Sequence, residues 1–372
     1  GTIGTLADKT AFGFVKNYFE ERGARKRICE IDRIVQGCTG IRRSTGQHPG
    51  GIIVLPLGED INSFTPVQHP ANDMGTDIVT THFDYHSIDH NLLKLDILGH
   101  DDPTMIKTLE EFISSPAMEN EYNETDNRFD ATKIPLDDPG VMSLFQGTEV
   151  LGIKPSDIGG CPVGCLGIPE FGTDFVIQMV VDTKPQTLSD LIRISGLSHG
   201  TDVWLNNAQD LILSGKATIS TAICTRDDIM TYLINKGMDS EESFTIMERV
   251  RKGAVAKGKC KEWPDFKKDM TEHGVPDWYI WSCEQIKYMF PKAHAAAYVM
   301  MAYRIAYCKI NYPLAYYAAY FGIRADAFSY ELMCQGKEQL NFYINDYMRR
   351  KDSLSKKEQD TLKDMRIVQE MY

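Results

Sequence analysis

The sequence contains no long apolar run and no leader-like beginning. None of its apolar stretches approaches the roughly 20 residues that a membrane-spanning helix needs, and its first residues lack the regions of a signal peptide. The nine cysteines have no paired spacing, and their odd number favours reduced thiols over a disulfide framework. Internal repeats and low-complexity tracts are also absent. These absences predict a cytoplasmic globular protein, and 372 residues are enough for two domains.

Basic residues are in the minority. Lys and Arg number 40 against 52 Asp and Glu, which gives a formal net charge of −12. This balance argues weakly against a nucleic-acid partner. Local potential matters more than the sum, and basic residues cluster at residues 22–27, 42–43 and 249–261. The charge therefore leaves a nucleic-acid partner open.

One short apolar run carries an acid. Residues 92–98 have the length of a strand, and Asp96 lies inside them. Burying an ionised Asp is costly unless a metal or a positive partner compensates the charge. Asp102 and Pro103 then predict the N-cap and first turn of a helix that runs to about Ser114. This arrangement is typical of metal-dependent phosphoryl-transfer sites, although a half-exposed Asp on an edge strand explains the same residues equally well.

Four long motifs follow one another along the chain. They are RRSTGQHPGG at residues 42–51, NLLKLDILGHDDP at 91–103, ISGLSHGTDVW at 194–204 and FPKAHAAAY at 290–298. In this order they resemble the PolC-type DNA polymerase III α subunits of low-GC Gram-positive bacteria. Four motifs in sequence are far more specific than a single short pattern.

The resemblance implies a replicative, DNA-directed DNA polymerase. Such an enzyme adds dNTPs to a primer 3′ end by two-metal nucleotidyl transfer with Mg²⁺. The implied partners are primer–template DNA and dNTP, together with the sliding clamp and other replisome subunits, which would bind through regions outside this chain. Two of the family's three catalytic aspartates would lie upstream of residue 1. We therefore expect a piece of a longer enzyme that is inactive alone.

The predicted fold is mixed α and β, and mainly α. We expect a small palm β-sheet with flanking helices in residues 1–133, including an acidic insertion near 116–133. An all-helical fingers domain would follow in 134–331, and residues 332–372 would form a helical tail leading toward a further DNA-binding module. Predicted strands are 51–57, 76–84 and 92–98, and predicted helices include 189–194 and 201–215.

The palm-like residues provide the first group of candidates. The resemblance makes Asp96 the catalytic and metal-binding acid. It also places four residues near the primer terminus or the DNA phosphates: Arg42, Arg43, Gly46 and His48. A glycine-rich turn after two arginines suits close approach to a polyanion, but it also suits a tight turn before a buried strand.

The fingers-like residues provide the second group. Arg193, Ser195 and Gly196 precede a helix predicted to begin near Thr201, and a helix N-terminus with nearby hydroxyls binds anions. His294 and Tyr298, four residues apart, share a helix face. The resemblance assigns nine residues to the incoming nucleotide: Arg193, Ser195, Gly196, Arg226, Arg251, Lys252, Lys292, His294 and Tyr298. Without it, the isolated arginines would be interpreted as solvated helix faces.

Two other functions stay open from the residues alone. His82, Asp84 and His86 alternate and would share one face of a strand, as in a His/Asp metallohydrolase, although no HExxH-type spacing accompanies them. Cys161 and Cys165 have near-zinc spacing without a second close pair. The other alternative is a non-catalytic nucleic-acid-binding module that keeps the phosphate contacts.

Overall fold

The chain forms two compact units, residues 1–99 and 100–372. The computed structural model describes residues 9–38, 45–118 and 128–372. Its architecture is mainly helical with two small sheets, which confirms the predicted fold class. Within the described ranges, no helix is long and apolar enough to cross a membrane. The division into palm, fingers and tail stays a prediction, and the change of unit falls near Gly99 rather than 133.

In its described part, residues 9–38 and 45–99, the first unit combines two α-helices with two antiparallel strand pairs. Its elements are α1 (Lys9–Glu20), α2 (Ile28–Cys38), β1 (Gly51–Val54), β2 (Val67–Gln68), β3 (Thr80–Thr81) and β4 (Leu93–Asp96). β1 pairs with β4 so that Gly51 lies opposite Asp96, and β2 pairs with β3. The predicted strands 51–57 and 92–98 are therefore confirmed in shortened form. The strand predicted over 76–84 is reduced to two residues.

The apolar strand β4 is not buried. Leu93 is 61% exposed and Leu95 45% exposed, and the opposite strand exposes 53% of Ile52. Among the described residues this sheet has two strands, so each of its faces depends on loops and helices for cover. Of the two interpretations left open for Asp96, the structure agrees with the half-exposed acid, because its side chain is 50% exposed.

The second unit is a helical assembly around one long helix. Its helices are α3 (Asp101–Ile113), α4 (Pro139–Leu144), α5 (Asp174–Thr183), α6 (Leu188–His199), α7 (Gln209–Leu213), α8 (Arg226–Asn235), α9 (Ser240–Arg251), α10 (Trp263–Glu272), α11 (Asp277–Gln285), α12 (Lys292–Asn311), α13 (Pro313–Ala319), α14 (Tyr330–Met333), α15 (Lys337–Arg349) and α16 (Lys356–Met371). α12 packs against α3, α4, α6 and α13. Small residues on its inner face, such as Ala302 and Ala306, are fully buried and permit this close packing.

Helix α6 differs from the prediction. A capping box between Thr187 and Asp190 starts it, and it continues to His199. The helix predicted over 201–215 is wrong for its first half, because residues 204–208 are irregular and Asn206 has a left-handed backbone. Buried Asn207 donates its amide to the carbonyls of Asp202 and Ser282. These tertiary hydrogen bonds replace the first turns of a helix.

Two ion pairs connect distant segments of the second unit. The sequence predicted Asp102 as the N-cap of α3, but His100 occupies that position. The buried Asp102 carboxylate instead pairs with Arg324. Lys309 of α12 pairs with Glu370 of α16 at 2.6 Å, and both side chains are almost fully buried. The second pair joins the terminal helix to the core.

Candidate functional site

Asp96 ends β4 in the first unit. Its Oδ2 lies 3.4 Å from Nζ of Lys94, and its Oδ1 lies 4.0 Å from Nε2 of His48. Lys94 precedes Asp96 by two residues, so both side chains project from the same face of the strand. Lys94 is therefore the positive partner of Asp96, whose side chain is half exposed.

The glycine-rich turn before β1 orients His48. The N–H groups of Gly50 and Gly51 donate to His48 Nδ1 at 3.1 and 2.6 Å, so the ring hydrogen is on Nε2, which faces Asp96. A Cβ at residue 51 would approach Nδ1 to 2.8 Å, and one at residue 50 would approach the Ile97 carbonyl oxygen to 2.4 Å. Both glycines are thus required by packing.

Gly46 has no such constraint. No described atom lies within 4 Å of the position that its Cβ would occupy. Arg42 and Arg43 lie outside the described residues. The DNA-binding role predicted for these three residues and for His48 therefore stays a prediction.

The metal-binding potential of the described residues is limited. Mg²⁺ prefers octahedral oxygen coordination, usually with one or two carboxylates. Across residues 9–38, 45–118 and 128–372, no three His, Cys, Asp or Glu side chains are grouped to hold a metal ion. Asp96 supplies one carboxylate, so these residues alone do not form a two-metal site.

The alternating His and Asp residues do not form the predicted strand face. β3 ends at Thr81, and Tyr85–Ser87 is a turn of 3₁₀ helix. His82 Nδ1 instead lies 2.6 Å from Oε1 of Gln68, and the side chain of His86 is outside the described residues. Cys161 and Cys165 are buried, and burial raises the pKa of both thiols, which disfavours the metal-binding thiolate form.

Two helix N-termini converge in the second unit. The N–H of Arg226, the first residue of α8, donates to the carbonyl of Phe290 at 3.2 Å. The N–H of Lys292, the first residue of α12, donates to Oδ2 of Asp227 at 2.6 Å. The positive ends of the two helices therefore lie side by side, which favours anion binding.

Arg193 reaches the same place from α6. Its Nη1 lies 3.9 Å from Oδ1 of Asp228 in the first turn of α8. Burial and then Asp228 raise the pKa of the Cys224 thiol, just before α8. Arg193 and Lys292 oppose this rise, so both cations act on the residues at the start of α8. The structure thus brings together Arg193, Arg226 and Lys292, which are separated by up to 99 residues in sequence.

Ser195 and Gly196 occupy different surroundings from those expected. Both lie inside α6, so the anion site predicted at a helix beginning near Thr201 is not formed. Ser195 is 1% exposed and donates its hydroxyl to Glu170. A Cβ on Gly196 would approach the Cys224 carbonyl oxygen to 2.6 Å. Gly196 therefore permits the close packing of α6, which carries Arg193, against the segment before α8, whereas Ser195 connects α6 to Glu170.

Arg251 and Lys252 share one acidic partner at the end of α9. Arg251 donates to both carboxylate oxygens of Glu248, and Lys252 lies 2.9 Å from Oε2. Partial burial raises the pKa of Glu248, but the hydrogen bonds from the two cations outweigh it and bring the pKa to about 2. Any phosphate at this place must compete with Glu248.

The rings of Phe290, His294, Tyr298 and His100 form a row along the start of α12, the ring row. The His294 and Tyr298 rings lie 4.6 Å apart, as their shared face predicts, and Phe290 lies 5.0 Å from His294. The Tyr298 hydroxyl lies 2.9 Å from Nε2 of His100, and His199 flanks His294 at 6.1 Å. Burial and then His199 hold the pKa of His294 below its usual value. Ring faces in such a row can stack against a base.

Comparison with known proteins gives two domain matches along the chain. Residues 6–99 match the model of the bacterial DNA polymerase III alpha NTPase domain, and residues 102–274 match that of the bacterial DNA polymerase III alpha subunit finger domain. Proteins named DNA polymerase III PolC-type from Caldanaerobacter subterraneus subsp. tengcongensis, Staphylococcus saprophyticus and Clostridium perfringens are 55%, 54% and 53% identical over the whole chain.

The chain belongs to the PolC-type DNA polymerase III family. It spans about a quarter of the length of these relatives, 24–25% of each. The junction between the two matched domains coincides with the junction between the two compact units of this PolC-type chain.

The sequence analysis assigned no role in the nucleotide site to His100, His199 or Glu170, which lie in or beside the ring row. His100 meets Tyr298 across 198 residues of sequence, and Glu170 meets His199 across the sharp loop before α5. Glu170 belongs to none of the four motifs. The one available signal was the position of His100 and His199 within motifs, without an indication of what either one contacts.

Proposed function

We propose that this PolC-type chain contributes part of the palm and the fingers to a DNA-directed DNA polymerase that extends primers in chromosome replication. The observation that carries the proposal is the convergence of the α8 and α12 N-termini beside Arg193, Arg226 and Lys292. Two helix ends and three cations suit the triphosphate of an incoming nucleotide. The ring row beside them suits its base.

The proposed roles of individual residues follow from this geometry. Lys292 and Arg226 contact phosphate, because each begins a helix and neither side chain forms an ion pair with another described residue. His294 and Tyr298 support the nascent base pair. Arg251 and Lys252 bind phosphate after they exchange their contacts with Glu248 for it. Gly196 acts by positioning α6 and thereby Arg193, and Ser195 acts by holding Glu170.

The catalytic assignment concerns Asp96. We assign it as one carboxylate ligand of Mg²⁺ in the intact enzyme, where two ions activate the primer hydroxyl and stabilise the leaving pyrophosphate. The described residues do not complete such a site, so the other ligands would come from elsewhere in the polymerase. Primer–template DNA would approach Gly46 and His48, with Arg42 and Arg43. Contacts to the clamp and other replisome subunits would lie outside this chain, and the enzyme would work in the cytoplasm.

The test replaces Asp96 with Ala in the full-length polymerase. Primer extension should be lost while primer–template affinity is largely kept, because a metal ligand acts mainly on the transition state. Asp77→Ala, at another exposed acid of the same unit, is the matched control. Extension near the wild-type rate by Asp96→Ala would overturn the catalytic assignment and favour a non-catalytic nucleic-acid-binding module.

A further inference from the structure

Glu170 has a backbone conformation that L-residues rarely adopt. Its φ is +68°, in the left-handed region, and such a residue persists only where its surroundings hold it. The preceding turn is anchored by buried Lys309, whose Nζ donates to the carbonyls of Gly164 and Leu166 at 2.8 and 2.7 Å. The strained conformation directs the Glu170 carboxylate toward α6.

The carboxylate holds one side of the His199 ring. Oε2 of Glu170 lies 3.1 Å from Nε2 of His199 and accepts the Ser195 hydroxyl at 3.3 Å. On the other side of the ring, Nδ1 lies 2.7 Å from the Ser195 carbonyl oxygen. The Ser198 hydroxyl also lies 3.1 Å from Nδ1, so the ring has polar neighbours at both nitrogens. The ring is thus fixed at two opposite atoms.

The fixed ring forms one side of the His294 environment. His199 packs edge-on against His294 at 6.1 Å and against Phe290 at 5.5 Å. The other titratable groups that act electrostatically on His294 are Glu170 and His100, and Tyr298 is its ring neighbour on α12. His294 therefore has its two aromatic neighbours on α12 and in the preceding turn, and His199 is the contact from α6.

We propose that Glu170 is a positioning residue of the nucleotide site, which fixes His199 and, through it, the ring of His294. This inference rests on the proposed function of the His294 and Tyr298 face. Glu170 need not touch the nucleotide. Loss of its carboxylate releases the Nε2 side of His199, and the His294 ring then gains orientations that do not support the incoming base.

The kinetic test uses Glu170→Gln and His199→Gln in the full-length polymerase, alone and combined. Each should lower kcat/KM for dNTP about tenfold, the effect of losing one hydrogen bond to a charged group, with primer–template affinity unchanged. The double variant should lose no more than either single one, because both changes break the same link. Glu338→Gln, an exposed acid of α15, is the control. If Glu170→Gln lowers stability, His199→Gln tests the same contact without changing Glu170.

A spectroscopic test is independent of polymerase activity. In ¹⁵N spectra of histidine in this chain, Glu170→Gln should shift the signal of His199 Nε2, which loses its carboxylate neighbour, and should also shift the His294 signals. Wild-type dNTP kinetics in Glu170→Gln, multiplicative losses in the double variant, or unchanged His199 and His294 signals would each overturn the inference. A wild-type polymerase without dNTP-dependent extension would instead overturn the proposed function.

Discussion

The buried pair of Lys309 and Glu370 gives the largest stability effect that we predict. Lys309 uses all three ammonium hydrogens, to Glu370 at 2.6 Å and to the Gly164 and Leu166 carbonyls. Glu370 also accepts the Tyr317 hydroxyl at 2.8 Å. Burial and then Glu370 raise the pKa of Tyr317, which keeps that donor protonated. Lys309→Met keeps most of the side-chain volume but leaves a buried carboxylate unpaired, at a cost of about 3–5 kcal/mol.

Tryptophan fluorescence measures this cost selectively. All four tryptophans lie in the second unit, so urea unfolding followed by their emission reports on that unit. The control is Lys356→Met, which removes the pair of an exposed lysine with Asp360 and should leave the unfolding free energy close to that of the wild type. Adding Glu370→Gln to Lys309→Met should restore part of the loss, because the unpaired charge disappears. A loss below about 1 kcal/mol in Lys309→Met, or a double variant less stable than the single one, would refute the reasoning.

Two further predictions concern the candidate site. Lys292→Ala in the full-length polymerase should lower kcat/KM for dNTP about ten- to a hundredfold, with the salt dependence of DNA binding unchanged, because a charge-assisted phosphate contact is lost. A shallower salt slope beside unchanged dNTP kinetics would instead assign Lys292 to the DNA backbone. Glu248 has a pKa of about 2 against 4.5 when unfolded, so its stabilisation is complete above pH 4.5 and is lost as the pH falls toward 2. Glu248→Gln should therefore show a flatter fall in unfolding free energy over that window, and a curve parallel to the wild type would contradict this.

Predictions from local sequence were correct where a feature depends on neighbouring residues. The apolar run around Asp96 forms a strand, and the helix after it ends at Ile113 with Ser114 as its C-cap. His294 and Tyr298 share a face because four residues make about one helical turn. The predictions failed where a tertiary contact competed with local preference. Asn207 interrupts the helix expected over 201–215 by bonding to Ser282, and Asp102 pairs with Arg324 instead of capping α3.

The sequence by itself therefore determined the family and the mainly helical class, since motifs, caps and periodicity depend on neighbouring residues. The tertiary structure alone decided which of these residues meet. Arg193 and Lys292 act on the same turn, and Glu170 fixes His199, because packed helices bring together side chains from distant segments. It also decided which positions are exposed: Asp96 is half exposed, which the sequence left open, and Ser195 is buried instead of lining an anion site. Burial depends on what covers a strand or helix face, and no local pattern records that cover.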